Sequence, residues 1–120
     1  MATLNFSYSR LLEIRTIANS VGVVFTNPAS QITYIRNIIL HNANTATEVV
    51  TLWNVPDNGG AVGTAGDTNR FFKKVMAVDE TVVLEFPAPG IVLENTNDTI
   101  QADCDTANKV TIQMYGGKEI

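Results

Sequence analysis

Hydrophobic and polar residues alternate along this chain in short runs, and alternation with a period of two is typical of a β-strand. In residues 81–86, Val82, Leu84 and Phe86 point to one side, while Thr81, Val83 and Glu85 point to the other. Residues 99–104 and 110–115 repeat the pattern. Asn, Asp, Pro and Gly interrupt the runs too often for long helices. The pattern therefore predicts eight or nine short strands.

The predicted strands are residues 11–17, 21–26, 32–41, 48–55, 70–78, 81–86, 91–93, 99–104 and 110–115. Residues 11–17 also fit a helix, but the turn at Asn19-Ser20 favours a strand. Strands at this spacing predict an all-β fold, a single antiparallel β-sandwich of the jelly-roll-like type. We assign residues 10–120 to this domain and residues 1–9 to an extended N-terminal arm.

Two connecting segments contain the residues that are typical of turns. The Asn- and Thr-rich residues 42–47 are expected to join the strands at 32–41 and 48–55 as a hairpin. Residues 56–69 contain four glycines and few apolar side chains, so we expect a flexible surface loop.

Composition narrows the classes of function. The 120 residues suit one domain; 45% are hydrophobic and only 17% are charged. A surface with few charges leaves apolar area for contacts between subunits. Seven acids and no Lys or Arg lie between residues 79 and 105, whereas four of the eight basic residues are arginines earlier in the chain: Arg10, Arg15, Arg36 and Arg70. This asymmetry suits head-to-tail contacts between copies, and the alternative is a solvated acidic edge.

Charge and hydropathy also argue against several partners. The net charge of -4 argues against a nucleic-acid partner, because phosphate binding needs clustered Lys and Arg. No apolar run is long enough for a membrane helix, and residues 1–10 lack the pattern of a secretory signal. We expect no membrane partner and synthesis in the cytoplasm.

Candidate reactive residues all have a simpler structural interpretation. His41 has no motif for a nucleophile or an orienting acid, and we expect it to bond the loop at residues 42–47. Cys104, the single cysteine, is expected to be buried rather than reactive. Asp103 and Asp105 resemble no calcium-loop motif, and the glycine loop lacks the phosphate-binding pattern. We predict no catalytic residue, no metal and no cofactor, so the chain is not expected to be an enzyme.

Aromatic residues provide the candidate interface. Two strands have large apolar residues on both faces, and a two-layer sandwich buries only one face of each sheet. With the aromatic residues of the arm, the candidate interface residues are Phe6, Tyr8, Trp53, Phe71 and Phe72. Trp53 has two other interpretations, a core position shared with Val49 and Val55, or a sugar-stacking platform with Tyr34 or Tyr115.

Three segments in order resemble one family: NPASQITYIRNIILHNANTATEVVTLWNVP, then a Gly-rich loop, then ETVVLEFPAPGIVLENTNDTIQADC. This order is similar to that of small β-sandwich virion proteins of tailed bacteriophages, including capsid decoration (cement) proteins and tail-accessory proteins. The likeness extends from about residue 27 to residue 114, and its motifs are structural.

The resemblance implies a non-enzymatic virion structural protein. We expect a capsid decoration protein that binds the major capsid protein, or another virion protein, and stabilises the head. It would act as a homo-oligomer, with a trimer favoured because capsids have local three-fold positions. The alternative is a carbohydrate-binding or receptor-binding module of a tail fibre.

Overall fold

A computed structural model of the chain describes residues 9–120, and within them nine strands follow each other in the predicted order. They are β1 (Ser9–Thr16), β2 (Gly22–Thr26), β3 (Ile32–Asn42), β4 (Glu48–Val55), β5 (Arg70–Met76), β6 (Thr81–Glu85), β7 (Ile91–Leu93), β8 (Thr99–Asp103) and β9 (Val110–Glu119). Ser9, which we assigned to the arm, begins β1. Phe6 and Tyr8 lie outside the described residues.

The strands form two antiparallel sheets. Sheet A has the order β1-β9-β3-β6, with β7 paired to the first part of β3. Sheet B has the order β2-β8-β4-β5. The predicted antiparallel sandwich is confirmed, and most strands adjacent in sequence lie in different sheets, as in a jelly roll.

The predicted hairpin at residues 42–47 is wrong. β3 belongs to sheet A and β4 to sheet B, so the segment between them crosses from one sheet to the other. Six of the eight connections cross in this way, and the exceptions are β4 to β5 and β6 to β7. Turn residues fix where the chain reverses, but they do not fix which sheet the next strand joins.

Apolar side chains fill the space between the sheets. Ile38, Leu40, Ile112 and Met114 come from sheet A, and Val50, Leu52 and Ile100 come from sheet B. All seven are fully buried. Within residues 9–120, no helix has the length and hydropathy required to cross a bilayer.

A buried amide closes the end of the sandwich where β3 begins. Asn27 is fully buried, and its Nδ2 donates to the carbonyl oxygens of Gln31 at 2.8 Å and Asn95 at 3.0 Å. Its Oδ1 accepts from the Thr33 hydroxyl at 2.6 Å. Nearby, the Asp98 carboxylate accepts backbone N–H groups of Asp57, Glu94 and Asn95. These bonds hold three connecting segments at this end.

A second buried amide closes the opposite end, where β3 finishes. The Nδ2 atom of Asn42 donates to the carbonyl oxygens of Ala46, Met76 and Ala77 at 3.0, 3.3 and 3.1 Å. Its Oδ1 accepts from the Asn44 N–H at 2.9 Å. One side chain therefore attaches the β3–β4 connection to the end of β5.

Glu48 and Cys104 lie at the same end. Glu48 is 1% exposed, and its carboxylate accepts from Asn44 Nδ2 at 3.0 Å and from the Thr106 N–H at 2.8 Å. Burial raises the pKa of Glu48, but hydrogen bonds from Asn44, Thr106 and Cys104 lower it by more, so the pKa lies below its ordinary value.

Cys104 is buried, as the sequence analysis predicts. Its thiol contacts the carbonyl oxygens of Ile17, Ala18 and Thr106 at 3.5, 3.5 and 3.2 Å. Burial and the nearby charge of Glu48 raise the pKa of the thiol to about 11.

We predict that Asn42→Ala lowers the free energy of unfolding by about 2–3 kcal/mol, because it leaves buried carbonyl oxygens without donors. Urea denaturation at pH 7 measures the loss. Asn19→Ala, at an exposed turn, is the matched control and should change the free energy by less than about 0.5 kcal/mol. Equal effects of the two substitutions would contradict the role assigned to Asn42.

Glu48→Gln should lower the free energy of unfolding by about 1–3 kcal/mol at pH 7. Because folding lowers the pKa of Glu48, its contribution is full above the ordinary value of 4.5 and is lost as the pH falls through the folded-state value. The difference between wild type and variant should therefore shrink as the pH falls below the ordinary pKa of 4.5. Glu13→Gln removes an exposed charge as the control, and a pH-independent difference for Glu48→Gln would refute the prediction.

In the native protein at pH 7.5, a thiol reagent should label Cys104 slowly, and in denaturant the labelling should be fast. The reason is that the buried thiol is almost entirely protonated at this pH. Cys104→Asp should destabilise the fold by several kcal/mol, since it buries a second carboxylate beside Glu48. Rapid labelling of the native protein would show that the site is open.

Candidate assembly surface

Each sheet has an outer face that points away from the core. A loop covers part of the outer face of sheet B, and that of sheet A is more open. On sheet A, cross-strand neighbours form three rows that each cross β6, β3, β9 and β1. The middle row is largely apolar: Ile39 lies opposite Val83 on one side and Gln113 on the other, and Glu13 and Ile14 share the bulge of β1 beside Gln113. Val83 is 52% exposed and Ile14 is 58% exposed.

The second row consists of small polar groups. His41 lies opposite Thr81 and Thr111, and Thr111 lies opposite Thr16. The Nδ1 atom of His41 is 2.8 Å from the Thr81 hydroxyl. His41 thus bonds a residue across the sheet, which corrects the expectation that its partner is the loop at residues 42–47.

The third row has opposite charges at its two ends. Asn37 lies opposite Glu85 and Tyr115, and Tyr115 lies opposite Arg10. The Tyr115 hydroxyl donates to Gln113 Oε1 at 3.1 Å. Glu85 and Arg10 are both exposed, on the edge strands β6 and β1. These three rows together are called the outer face of sheet A below.

The outer face of sheet B is partly covered by the loop at residues 56–69. Gln101 Nε2 donates to the Gly63 carbonyl at 3.1 Å, and Asn97 Nδ2 donates to the Gly60 carbonyl at 2.9 Å. Val55 is 1% exposed and packs near Gly63. The loop therefore has attachments to the sandwich that the sequence analysis did not identify, because they come from side chains about forty residues away.

Trp53 lies on this covered face. It is opposite Gln101 and is 9% exposed. Trp53 and Val55 are buried, as expected of core positions. They point away from the space between the sheets, however, because Val50 and Leu52 of the same strand face that space. A sugar-stacking platform of Trp53 with Tyr34 or Tyr115 is also excluded, because both tyrosines belong to sheet A.

Phe71 and Phe72 are half-buried and pack against the core. The rings of Phe71 and Phe86 meet edge to face, with centroids 6.2 Å apart. Of the candidate interface residues in the described part of the chain, none lies on the outer face of sheet A. Their role in an interface stays a prediction.

The sequence analysis missed Ile14, Ile39, Val83, Glu85 and Arg10 as a group. Alternation places Val83 on the outer side of β6, but only the register shows that it lies beside Ile39. Three of the five edge pairings contain irregularities: β1 with β9, β2 with β8, and β5 with β4. Such irregularities disfavour pairing with a further strand, so faces are better contact surfaces here than edges.

The acidic pair considered for a metal has a structural partner. Asp105 Oδ2 accepts the Val49 N–H at 2.8 Å. Within residues 9–120, no group of three or more His, Cys, Asp or Glu side chains is arranged to hold a metal ion.

An open cleft of about 570 Å³ lies beside the attached loop. Its lining mixes charged and aromatic groups, including Arg70, Phe71, Glu94 and Asp98. It is the concave feature that a small polar ligand would enter.

No protein-family model matches the chain, and no curated protein matches its sequence. A similar solved structure is a chain from the disulfide-linked pili of Bacillus endospore appendages. The two chains are 14% identical, with a TM-score of 0.54, and the match covers 98% of this chain and 89% of the other.

A second match, to a structure of infectious bursal disease virus (Gt strain), has a TM-score of 0.30 and 6% identity. It covers 96% of this chain but 31% of the viral chain, so it supports no argument. The pilus match agrees with the observed β-sandwich. The chain therefore shares its fold with a protein of an assembled appendage.

Proposed function

We propose that this chain is a non-enzymatic structural protein that associates with copies of itself. The observation that carries the proposal is the outer face of sheet A, where β3, β6 and β9 place no Lys, Arg, Asp or Glu in two of the three rows. The polar residues buried in the fold have structural partners: Asn27, Asn42 and Glu48 hold connecting segments together. The buried polar chemistry is used for stability.

We propose further that the protein belongs to a bacteriophage virion and acts as a capsid decoration, or cement, protein. Support comes from the resemblance of its segments to small β-sandwich virion proteins. It would be made in the host cytoplasm and would bind the major capsid protein or another virion protein. Each copy would bridge neighbouring capsid subunits and so resist the pressure of packaged DNA. The trimer rests only on the local three-fold positions of a capsid, stays a prediction, and is an alternative to the two-fold dimer inferred below.

Any assembly of this chain would be noncovalent, in contrast to the disulfide-linked pili of the similar appendage protein. Cys104 is the single cysteine, and it is buried with a raised pKa. Contacts between copies must therefore come from apolar, hydrogen-bonding and charged surface groups.

A second candidate is a carbohydrate-binding or receptor-binding module of a tail fibre. The observation that favours it is the cleft that Arg70, Phe71 and Glu94 help to line, which combines an aromatic ring with charged groups. Sugars are bound by such mixtures of aromatic and hydrogen-bonding groups.

Three measurements test the function. Light scattering coupled to size exclusion should give a concentration-dependent mass above that of one chain. The protein should cosediment with undecorated capsids of its phage, and a glycan array should show no saturable binding. A monomeric protein that does not cosediment with capsids would refute the decoration proposal. Saturable glycan binding would favour the fibre module.

A further inference from the structure

The outer face of sheet A has an acidic group at one edge and a basic group at the other, so a second copy in the reverse orientation would be complementary to it. The third row begins with Glu85 on edge strand β6 and ends with Arg10 on edge strand β1. The middle row has Val83 at its β6 end and, at its β1 end, Ile14 in a bulge that it shares with Glu13. Each group on one edge is therefore complementary to the group at the other end of its own row.

We propose that this face packs against the same face of a second copy, around a two-fold axis parallel to the strands between β9 and β3. This rotation keeps each row in place and exchanges its ends. Glu85 of one copy then meets Arg10 of the other, Val83 meets Ile14, and Thr81 meets Thr16. Each contact occurs twice, as in any isologous interface. The inference rests on the self-association proposed above.

Other symmetric packings of this face are less favourable. A two-fold axis across the strands would exchange the third row with the second, so Glu85 and Arg10 would both face threonines. Only the axis along the strands pairs both charges and keeps the apolar row together. Two faces packed this way can adopt the usual angle of about 30° between aligned sheets.

The size of the face predicts a weak dimer. Four strands about 4.8 Å apart, and three rows about 7 Å apart, give a patch of about 20 Å by 20 Å with its side chains. Two such patches bury about 800 Å², below the standard interface of about 1,600 Å². Dissociation constants in the micromolar range or weaker are therefore expected.

Charge exchange tests the pairing directly. In sedimentation equilibrium of the full chain, from about 5 µM to 500 µM, wild type should fit a monomer–dimer equilibrium. Glu85→Arg and Arg10→Glu should each weaken association about tenfold, because each places two like-charged pairs in the dimer. The double variant E85R/R10E should recover most of the wild-type affinity. Failure of the double variant to recover, with both single variants weakened, would overturn the proposal.

The apolar row offers a matched pair of variants. Val83→Lys should reduce association at least tenfold. Val75→Lys should leave it unchanged, since Val75 is 59% exposed but lies on sheet B, opposite Val49. Circular dichroism and thermal melts of both variants verify that they fold, and equal effects on association would contradict the assigned face.

The outcomes separate this inference from the proposed function. The proposed interface is overturned if association continues beyond a dimer or if Val83→Lys leaves the affinity unchanged. Either result is still compatible with the proposed structural role. Wild type that stays monomeric at every concentration refutes the interface. If Val83→Lys then also loses capsid binding, the face belongs to a capsid protein; if capsid binding is absent in wild type, the decoration role fails too.

Discussion

Burial of polar groups at the two ends of the sandwich is the constraint on which the rest of the structure depends. Six of the eight connections pass between sheets, so the backbone must turn over the ends of the core. Buried carbonyl and N–H groups there need partners. Asn27 and Asn42 supply them at opposite ends of β3, and each amide bonds segments that are distant in sequence.

With the ends closed in this way, the surfaces left for binding are the edges and the outer faces. Irregular pairing blunts three of the four sheet edges, and an attached loop covers part of sheet B. The outer face of sheet A has no such cover among the described residues. A stable scaffold with one accessible, weakly charged face suits a protein whose function is to make contacts.

Much of this fold can be predicted from the sequence. Local alternation of apolar and polar residues indicates the strands, and local turn residues indicate where the chain reverses. Val82, Leu84 and Phe86 show this for β6. Sheet membership cannot be predicted in this way, since β3 and β4 separate through contacts with β9 and β8. For the same reason the sequence does not show that Trp53 is buried on the side of sheet B that points away from sheet A. The rows of the candidate surface depend on register across four strands, which no single segment encodes.

The most direct measurement of the central claim is an amide NMR spectrum recorded over a concentration series of the full chain. If the outer face of sheet A is the contact surface, concentration-dependent shifts should concentrate at Arg10, Ile14, Ile39, Val83 and Gln113. Residues of sheet B, such as Val75 and Gln101, should not move. Shifts centred on sheet B or on the loop at residues 56–69 would contradict the account.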